Sequence, residues 1–512
     1  MHLLKIVHLT FEIICVSNAA KILGIFHLPS YSHYQLGEVL LKELASRGHD
    51  VTVISPVEEK QKVKNLRTIY LDNVMDVLKE KNFNMFALAD DNAITCMFKS
   101  IEDMTTLVKN TLNHTNVQKL ITSNEKFDLV ILERLMNDAF HGFCVHFEAH
   151  CVISSSIPPT HTSNTQMGIF IPPSYLPEIH TSFSSKMNFF ERLYNGIVHV
   201  ISTVVFHTQT LPTQNEMMHK YFPTVPHLTD IFYNVSLTLF NSHISSSTPI
   251  PLLPNMIDIG GYHIKPAKAL PQDLQEYLDN AKEGVLFFSM GSHLRSKDLT
   301  DNRREAILKA FTAVNLKVLW KWENESLVGR PPNVKILKWV PQNDVLAHPN
   351  IKLFMTHGGL LSTLEAIYHG VPVVGIPIYG DQHLNMRTVE DNNHGIIVDL
   401  PGITGEKLLN AINTVLQNPK YLNNARARSK ILRDNPQKPL DKAIFWIEYV
   451  LRHNGAHHLK TAALNLRWYQ YLLLDVVVFF AFLVTTPILI CYVIYKTRRS
   501  SKVTLSKTKK NK

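Results

Sequence analysis

Val476 to Tyr495 is an unbroken run of twenty residues without a charged side chain. About 20 apolar residues in a helix cover the ~30 Å hydrocarbon core of a bilayer. The run extends to Leu472 if Asp475 is tolerated at the membrane edge, so residues 472–495 are expected to form one transmembrane helix. Lys496, Arg498 and Arg499 follow at once. Positive charge marks the cytosolic flank, which puts the C-terminus in the cytosol. At the other end, Lys5 precedes a mostly apolar stretch, Ile6 to Val16, interrupted by His8 and Glu12. Ser17-Asn18-Ala19-Ala20 then offers small residues for cleavage. Residues 1–20 therefore read as a secretory signal peptide. The chain is expected to be a single-pass type I membrane protein with everything between these segments in the lumen.

Three glycosylation triplets agree with that topology: Asn113-His-Thr115, Asn234-Val-Ser236 and Asn324-Glu-Ser326. The tail, residues 496–512, closes on Lys509-Lys510-Asn511-Lys512, which resembles a dilysine retrieval signal of the endoplasmic reticulum. That tail holds eight of the 52 Lys and Arg residues and no Asp or Glu, and the net charge is +9. The remaining 495 residues thus carry only +1, so a basic surface for nucleic acid is not expected. A composition 45% hydrophobic and 19% charged, in 512 residues, excludes a disordered or fibrous chain and implies two domains or more. Five Cys exclude a disulfide scaffold, and no CxxC or Cys/His pair has zinc spacing.

Between the two hydrophobic ends, strand and helix patterns alternate on both sides of a Ser- and Pro-rich stretch, residues 245–271. The pattern predicts an N-terminal α/β domain over 21–244, a linker over 245–271 and a C-terminal α/β domain over 272–455, with 456–471 a juxtamembrane segment. In the first half, Lys21–Pro29, Val51–Ser55, Phe127–Glu133 and Cys151–Ser154 read as strands. Leu36, Val39, Leu40 and Leu44 have helical spacing before Gly48. In the second half the strands are Val285–Ser289, Lys317–Trp322, Val334–Val340, Lys352–His357, Val371–Pro377 and Gly395–Asp399. Such alternation implies doubly wound, Rossmann-like parallel sheets, with ligands at the carboxyl ends of strands. Two domains of this kind facing each other leave a cleft between them.

The strongest motif runs from Trp339 to Gln382. The strand 352–357 ends in Thr356-His357-Gly358-Gly359, and a helix follows near Ser362. Free N–H groups and the helix dipole at such a start suit a diphosphate, and glycines let backbone approach it. The same run resembles the signature of the UDP-glycosyltransferases, the UDP-glucuronosyl/glucosyltransferase family of GT-B fold. It does so through Trp339, Gln342, His357-Gly358-Gly359, Ser362-Thr363-Leu364-Glu365, Pro372, Pro377 and Asp381-Gln382. The resemblance extends to Phe288-Ser289-Met290-Gly291-Ser292, to Phe445–Tyr449, and to both chain ends. Pro271–Gln275 and Asn137–Phe140 are most similar to its insect branch.

That resemblance implies a UDP-sugar co-substrate and no permanently bound cofactor or metal. It implies that Trp339 stacks on uracil, Gln342 helps hold the nucleoside and Glu365 accepts from the ribose hydroxyls. His357, Ser292 and the backbone at Gly359 and Ser362 would bind phosphate, and Asp381 and Gln382 the sugar. Ser362-x-x-Glu365 also fits a capping box, and Asp381 a helix N-cap. Leu361 departs from the pattern, since many relatives carry Asn there.

The base is expected across the cleft. His33 follows the first strand, where a family catalytic His lies, and an imidazole of ordinary pKa ~6.5 can take a hydroxyl proton near neutrality. A carboxylate should orient it. Asp138 and Glu133 are both candidates, and the Asn-Asp-Ala-Phe context favours Asp138. The implied reaction is a single inverting displacement that gives a β-glycoside. Region 60–250 is rich in Phe and Met (Phe83, Phe86, Met97, Phe98, Met167, Phe189, Phe190 among them), suiting an adaptable apolar acceptor pocket or a core. The expected acceptors are small lipophilic phenols and alcohols such as plant compounds or hormones, and the favoured donor is UDP-glucose. The membrane is an expected partner, and homo- or hetero-oligomers remain open.

Overall fold

Strands such as Ile22–Ile25 and Val285–Ser289 are almost wholly apolar and buried at every position, without the in–out alternation of a half-exposed sheet. A strand of that kind needs cover on both faces, which the crossover helices of a parallel sheet provide. The structure, a computed structural model, describes residues 19–58, 61–72, 74 and 85–510. Most of the expected signal peptide, Phe83 and the final Asn511 and Lys512 lie outside the described residues.

The first sheet comprises β1 (Lys21–Ile25), β2 (Asp50–Ser55), β3 (Leu66–Tyr70), β4 (Leu129–Arg134), β5 (His150–Ser155), β6 (Leu237–Phe240) and β7 (Met256–Asp258). Its order is β3-β2-β1-β4-β5-β6-β7. The second comprises β8 (Val285–Ser289), β9 (Lys317–Lys321), β10 (Val334–Leu337), β11 (Ile351–Thr356), β12 (Val373–Gly375) and β13 (Gly395–Ile397). Its order is β10-β9-β8-β11-β12-β13. All pairings are parallel. Both sheets share the doubly wound order, so each reverses direction between two central strands, β1 and β4 or β8 and β11. A crevice opens at the carboxyl ends of such a pair.

The helices that matter for the site are α1 (Tyr31–Ser46), α2 (His161–Gln166), α3 (Phe189–Val205), α4 (Leu360–His369), α5 (Gln382–Asp391) and α6 (Pro439–Arg452), with α7 (Leu474–Lys510) beyond. Phe287, Phe288, Trp320 and Phe354 are wholly buried in the second half, and each contributes about 1.5–3 kcal/mol by leaving water. α4 ends on Gly370, whose φ of 70° is the left-handed closure that glycine accepts without a Cβ penalty.

Several features depart from the sequence reading. β3, β6 and β7 were not anticipated. β7 lies inside the stretch read as a linker and adds to the first sheet beside β6, so that stretch is partly structural. Helix α6 was grouped with the second half. Its Ala443, Ile444, Ile447 and Val450 instead pack among Ile22, Val51, Leu129 and Leu237 of the first. Conversely, Phe86 is buried in the core of the second half, and Arg303 holds Asp90 with two 3.0 Å bonds. The Phe- and Met-rich region is therefore no single lining. Phe86 and Met167 belong to different cores, while Phe189 and Phe190 are exposed.

Residues 461–512 form a separate unit. Within it, Leu474–Arg499, 26 residues, is long and apolar enough to cross a membrane. The helix starts two residues after the expected Leu472 and continues into the basic tail. Asn113, Asn234 and Asn324 of the three glycosylation triplets are all exposed.

Candidate active site

His33 sits in the first turn of α1, just after β1 ends, and Glu133 lies near the end of the neighbouring β4. Parallel pairing of β1 with β4 brings the two together at the switch point of the first sheet. His33 Nδ1 is 2.5 Å from Glu133 Oε1. The Glu133 side chain is 1% exposed and that of His33 24% exposed. A carboxylate only accepts, so Nδ1 carries the shared proton and Nε2 keeps a lone pair. Burial disfavours the imidazolium, but the Glu133 charge, its hydrogen bond and the Asp381 charge outweigh it and raise the His33 pKa above its ordinary value.

Asp138, the carboxylate that the sequence favoured, is not the partner of His33. It begins a short turn after β4, its backbone carbonyl accepts from His141 Nδ1 at 2.8 Å, and its charge acts on Arg134 and His141. The reason is positional. Glu133 is still on the strand and inherits its register beside β1, whereas the chain turns away before Asp138.

The second half repeats the arrangement. β8 leads to Gly291 and Ser292, and adjacent β11 leads to His357 and Gly358. The His357 ring is nearly buried between two glycines. A Cβ on Gly291 would come within 2.6 Å of its Cε1, and one on Gly359 within 2.6 Å of its Nε2. Burial, then His293 and Lys321, push its pKa down to about 3, so the ring is neutral. Gly359 is the N-cap of α4 and contributes no side chain, which leaves the N–H groups of the first turn unpaired within the helix.

Helix α4 begins at Leu360, so Ser362 and Glu365 lie inside it and the capping-box alternative does not hold. Gln342 instead donates from Nε2 to Ser362 Oγ at 2.9 Å and to Glu365 Oε2 at 2.8 Å. Burial raises the Glu365 pKa to about 7, opposed by the Gln342 hydrogen bond and reinforced by Asp344. Asp381 occupies the N-cap position of α5 without capping it. Its Oδ2 accepts from Asn385 Nδ2 at 2.7 Å, and the same amide donates to Gly358 O at 3.0 Å. Gln382 Oε1 accepts from the Ile378 and Tyr379 backbone at 2.9 and 3.3 Å, leaving its Nε2 to offer a ligand. Trp339 is 58% exposed, and its ring meets Tyr31 edge-on at 5.6 Å.

The structure thus brings His33, Trp339, His357 and Asp381 to facing strand ends of the two halves. Sequence reasoning missed Tyr31 and His293. His293 is lowered to about 4 by burial and by His33 and in turn depresses His357, so it stands near both imidazoles. Its place next to Ser292 was the available signal. Leu361, on the first turn of α4, packs against the core of the first half, so this departure from the pattern is an apolar contact across the halves.

A sequence model described as "UDP-glucoronosyl and UDP-glucosyl transferase" matches residues 21–511. The UDP-glycosyltransferase UGT5 of Dactylopius coccus is 38% identical over 94% of this chain and 92% of its own length. UDP-glucosyltransferase 2 of the same insect is 36% identical over 96% and 95%. Among solved structures, the calicheamicin glycosyltransferase CalG4 superposes with a TM-score of 0.55 at 15% identity. That match covers 85% of this chain and 99% of that one, and the shared fold is GT-B.

Proposed function

The chain belongs to the UDP-glucuronosyl and UDP-glucosyl transferase family and transfers sugar from a UDP-sugar to small acceptors. From that premise we propose that it is an inverting hexosyltransferase acting on hydroxyl groups of small lipophilic compounds, with UDP-glucose as donor. The observation that carries the reading is His33, partly exposed, held by buried Glu133 at 2.5 Å. With Nδ1 occupied, Nε2 removes the acceptor hydroxyl proton as its oxygen attacks the anomeric carbon, and Glu133 stabilises the imidazolium that forms. Attack opposite the leaving group inverts that carbon, so an α-linked donor yields a β-glycoside.

In the other half, Trp339 stacks on uracil, and Gln342 and Glu365 hold the ribose. His357, Ser292 and the first-turn amides of α4 at Gly359 to Ser362 bind the diphosphate. As a neutral ring, His357 donates one N–H to the departing UDP without adding a full charge, and preorganised donors of this kind carry much of such a barrier reduction. Asp381 and Gln382 take sugar hydroxyls. The glucose assignment rests on the insect glucosyltransferase relative. The apolar helix Leu474–Arg499 with its basic flank supports a membrane-anchored enzyme with lumenal halves in the endoplasmic reticulum. His33→Ala in microsomes should abolish transfer from UDP-glucose to 1-naphthol while UDP binding persists. Transfer near the wild-type rate would remove His33 from the role.

A further inference from the structure

Away from that site, His161, Glu178 and His199 converge, although 38 positions separate the first from the last. His161 opens α2, Glu178 lies on the following loop and His199 is on α3. One donor atom from each lies within 4.8 Å of the others. His199 Nδ1 is 2.8 Å from Glu178 Oε1, and His161 Nε2 is 3.9 Å from the same oxygen. We propose that these three side chains form a zinc-binding site that ties the 167–182 loop to α3.

Two imidazoles and a carboxylate are a borderline-soft set that suits zinc. Tetrahedral zinc with bonds of ~2.0–2.1 Å keeps its ligand atoms about 3.3–3.4 Å apart. The cluster therefore needs shifts of about an ångström at most, within the reach of side-chain torsions. The scaffold is built independently of any ion. Thr160 and Ser163 form a reciprocal cap that fixes the start of α2. Asn195 Oδ1 accepts from the Glu178 backbone N–H at 2.8 Å, and His199 is one helical turn further along α3.

Without an ion, His161 Nε2 donates to Leu176 O at 3.1 Å. Ligation would move that proton to Nδ1. Leu176 O would not be orphaned, because Asn195 Nδ2 also donates to it at 3.0 Å. His180, two residues beyond Glu178, has both ring nitrogens buried without a hydrogen-bond partner. A water would complete the tetrahedron, or that ring if it turned toward the cluster. The loop is not remote from the chemistry. Ser182 O accepts from Arg387 Nε at 3.2 Å, and Arg387 lies on α5, the helix that starts at Gln382. Ordering the loop would steady the helix that presents Asp381 and Gln382.

The test uses full-length protein without a polyhistidine tag, in detergent micelles, stripped with a chelator and dialysed against Zn²⁺. Elemental analysis should find one zinc per chain, and Co²⁺ should give the visible absorption of a tetrahedral site. His161→Ala/His199→Ala should lose both while retaining UDP binding. Glu178→Gln keeps the backbone bonds to Asn195 and should bind zinc at least tenfold more weakly, which covers failure of the double variant to fold. Zinc should raise the melting temperature of the wild type by a few degrees and not that of the variants. No zinc on the folded wild type, or zinc bound as tightly by the folded variants as by the wild type, would overturn the site.

Discussion

Replacing Glu133 with Gln tests the catalytic pair most directly. The carboxylate is almost fully buried and 2.5 Å from His33 Nδ1. Gln preserves the shape and a polar partner but removes the charge. A hydrogen bond to a charged group contributes about 1.5–3 kcal/mol, and one pKa unit corresponds to about 1.36 kcal/mol. The His33 pKa should therefore fall by about 1–2 units. Only the neutral ring accepts the hydroxyl proton, so wild-type activity declines as pH drops through the raised His33 pKa. In Glu133→Gln that acidic limb should move to lower pH by the same 1–2 units. kcat should also fall by about 10²–10⁴, because the imidazolium formed in the transition state loses its counter-charge and the tautomer its fixed acceptor. The assay is kcat/KM against pH from 5 to 9 with UDP-glucose and 1-naphthol, with the UDP Kd by calorimetry as a control that should change less than twofold. Asp138→Asn is the comparison and should leave the limb in place. A limb that moves in Asp138→Asn and stays in Glu133→Gln would refute the reasoning.

Gly359→Ala should weaken UDP binding tenfold or more by calorimetry at a nearly unchanged melting temperature. Gly359 has an ordinary φ of −57°, so its new methyl acts by displacing His357 rather than by backbone strain. Glu365, raised to about 7 when empty, should ionise on meeting the ribose hydroxyls. UDP affinity should then drop by up to tenfold per pH unit below 7, with proton release visible as a buffer-dependent binding enthalpy. Glu365→Gln should lose that release and bind more weakly at pH 8; unchanged proton release in the variant would assign it to another group. Leu361→Asn should destabilise by about 1–2 kcal/mol in chemical denaturation, since it takes a partly buried apolar side chain from the facing core. If the asparagine also reaches phosphate, the KM for UDP-glucose should fall.

Much of the second sheet was legible because its strands are mostly apolar and helical segments fall between most of them. Val285–Ser289 was read to the residue, and Lys317 and Val334 start their strands as expected. β3 was hidden because its residues are only partly buried and include Arg67 and Thr68. β7 was hidden because three residues among prolines leave no period to detect. The pattern of α6 shows an apolar face but not which sheet covers it. The donor-side residues were legible as a motif because one strand, one turn and one helix carry most of them. The partner of His33 was not. Residue type pointed to Asp138, whereas register across two strands a hundred residues apart decides for Glu133. The His161, Glu178 and His199 cluster had no spacing to betray it, being assembled by three separate elements.

The return of α6 to the first sheet means that the polypeptide passes between the halves twice, once within 259–271, after β7, and again near 434–438. Any opening that admits a donor must flex two tethers together, which confines it to a swing about the line joining them and resists twisting or sliding. Nicking the first tether would not let the halves drift apart, because α6 would still clasp one lobe to the other.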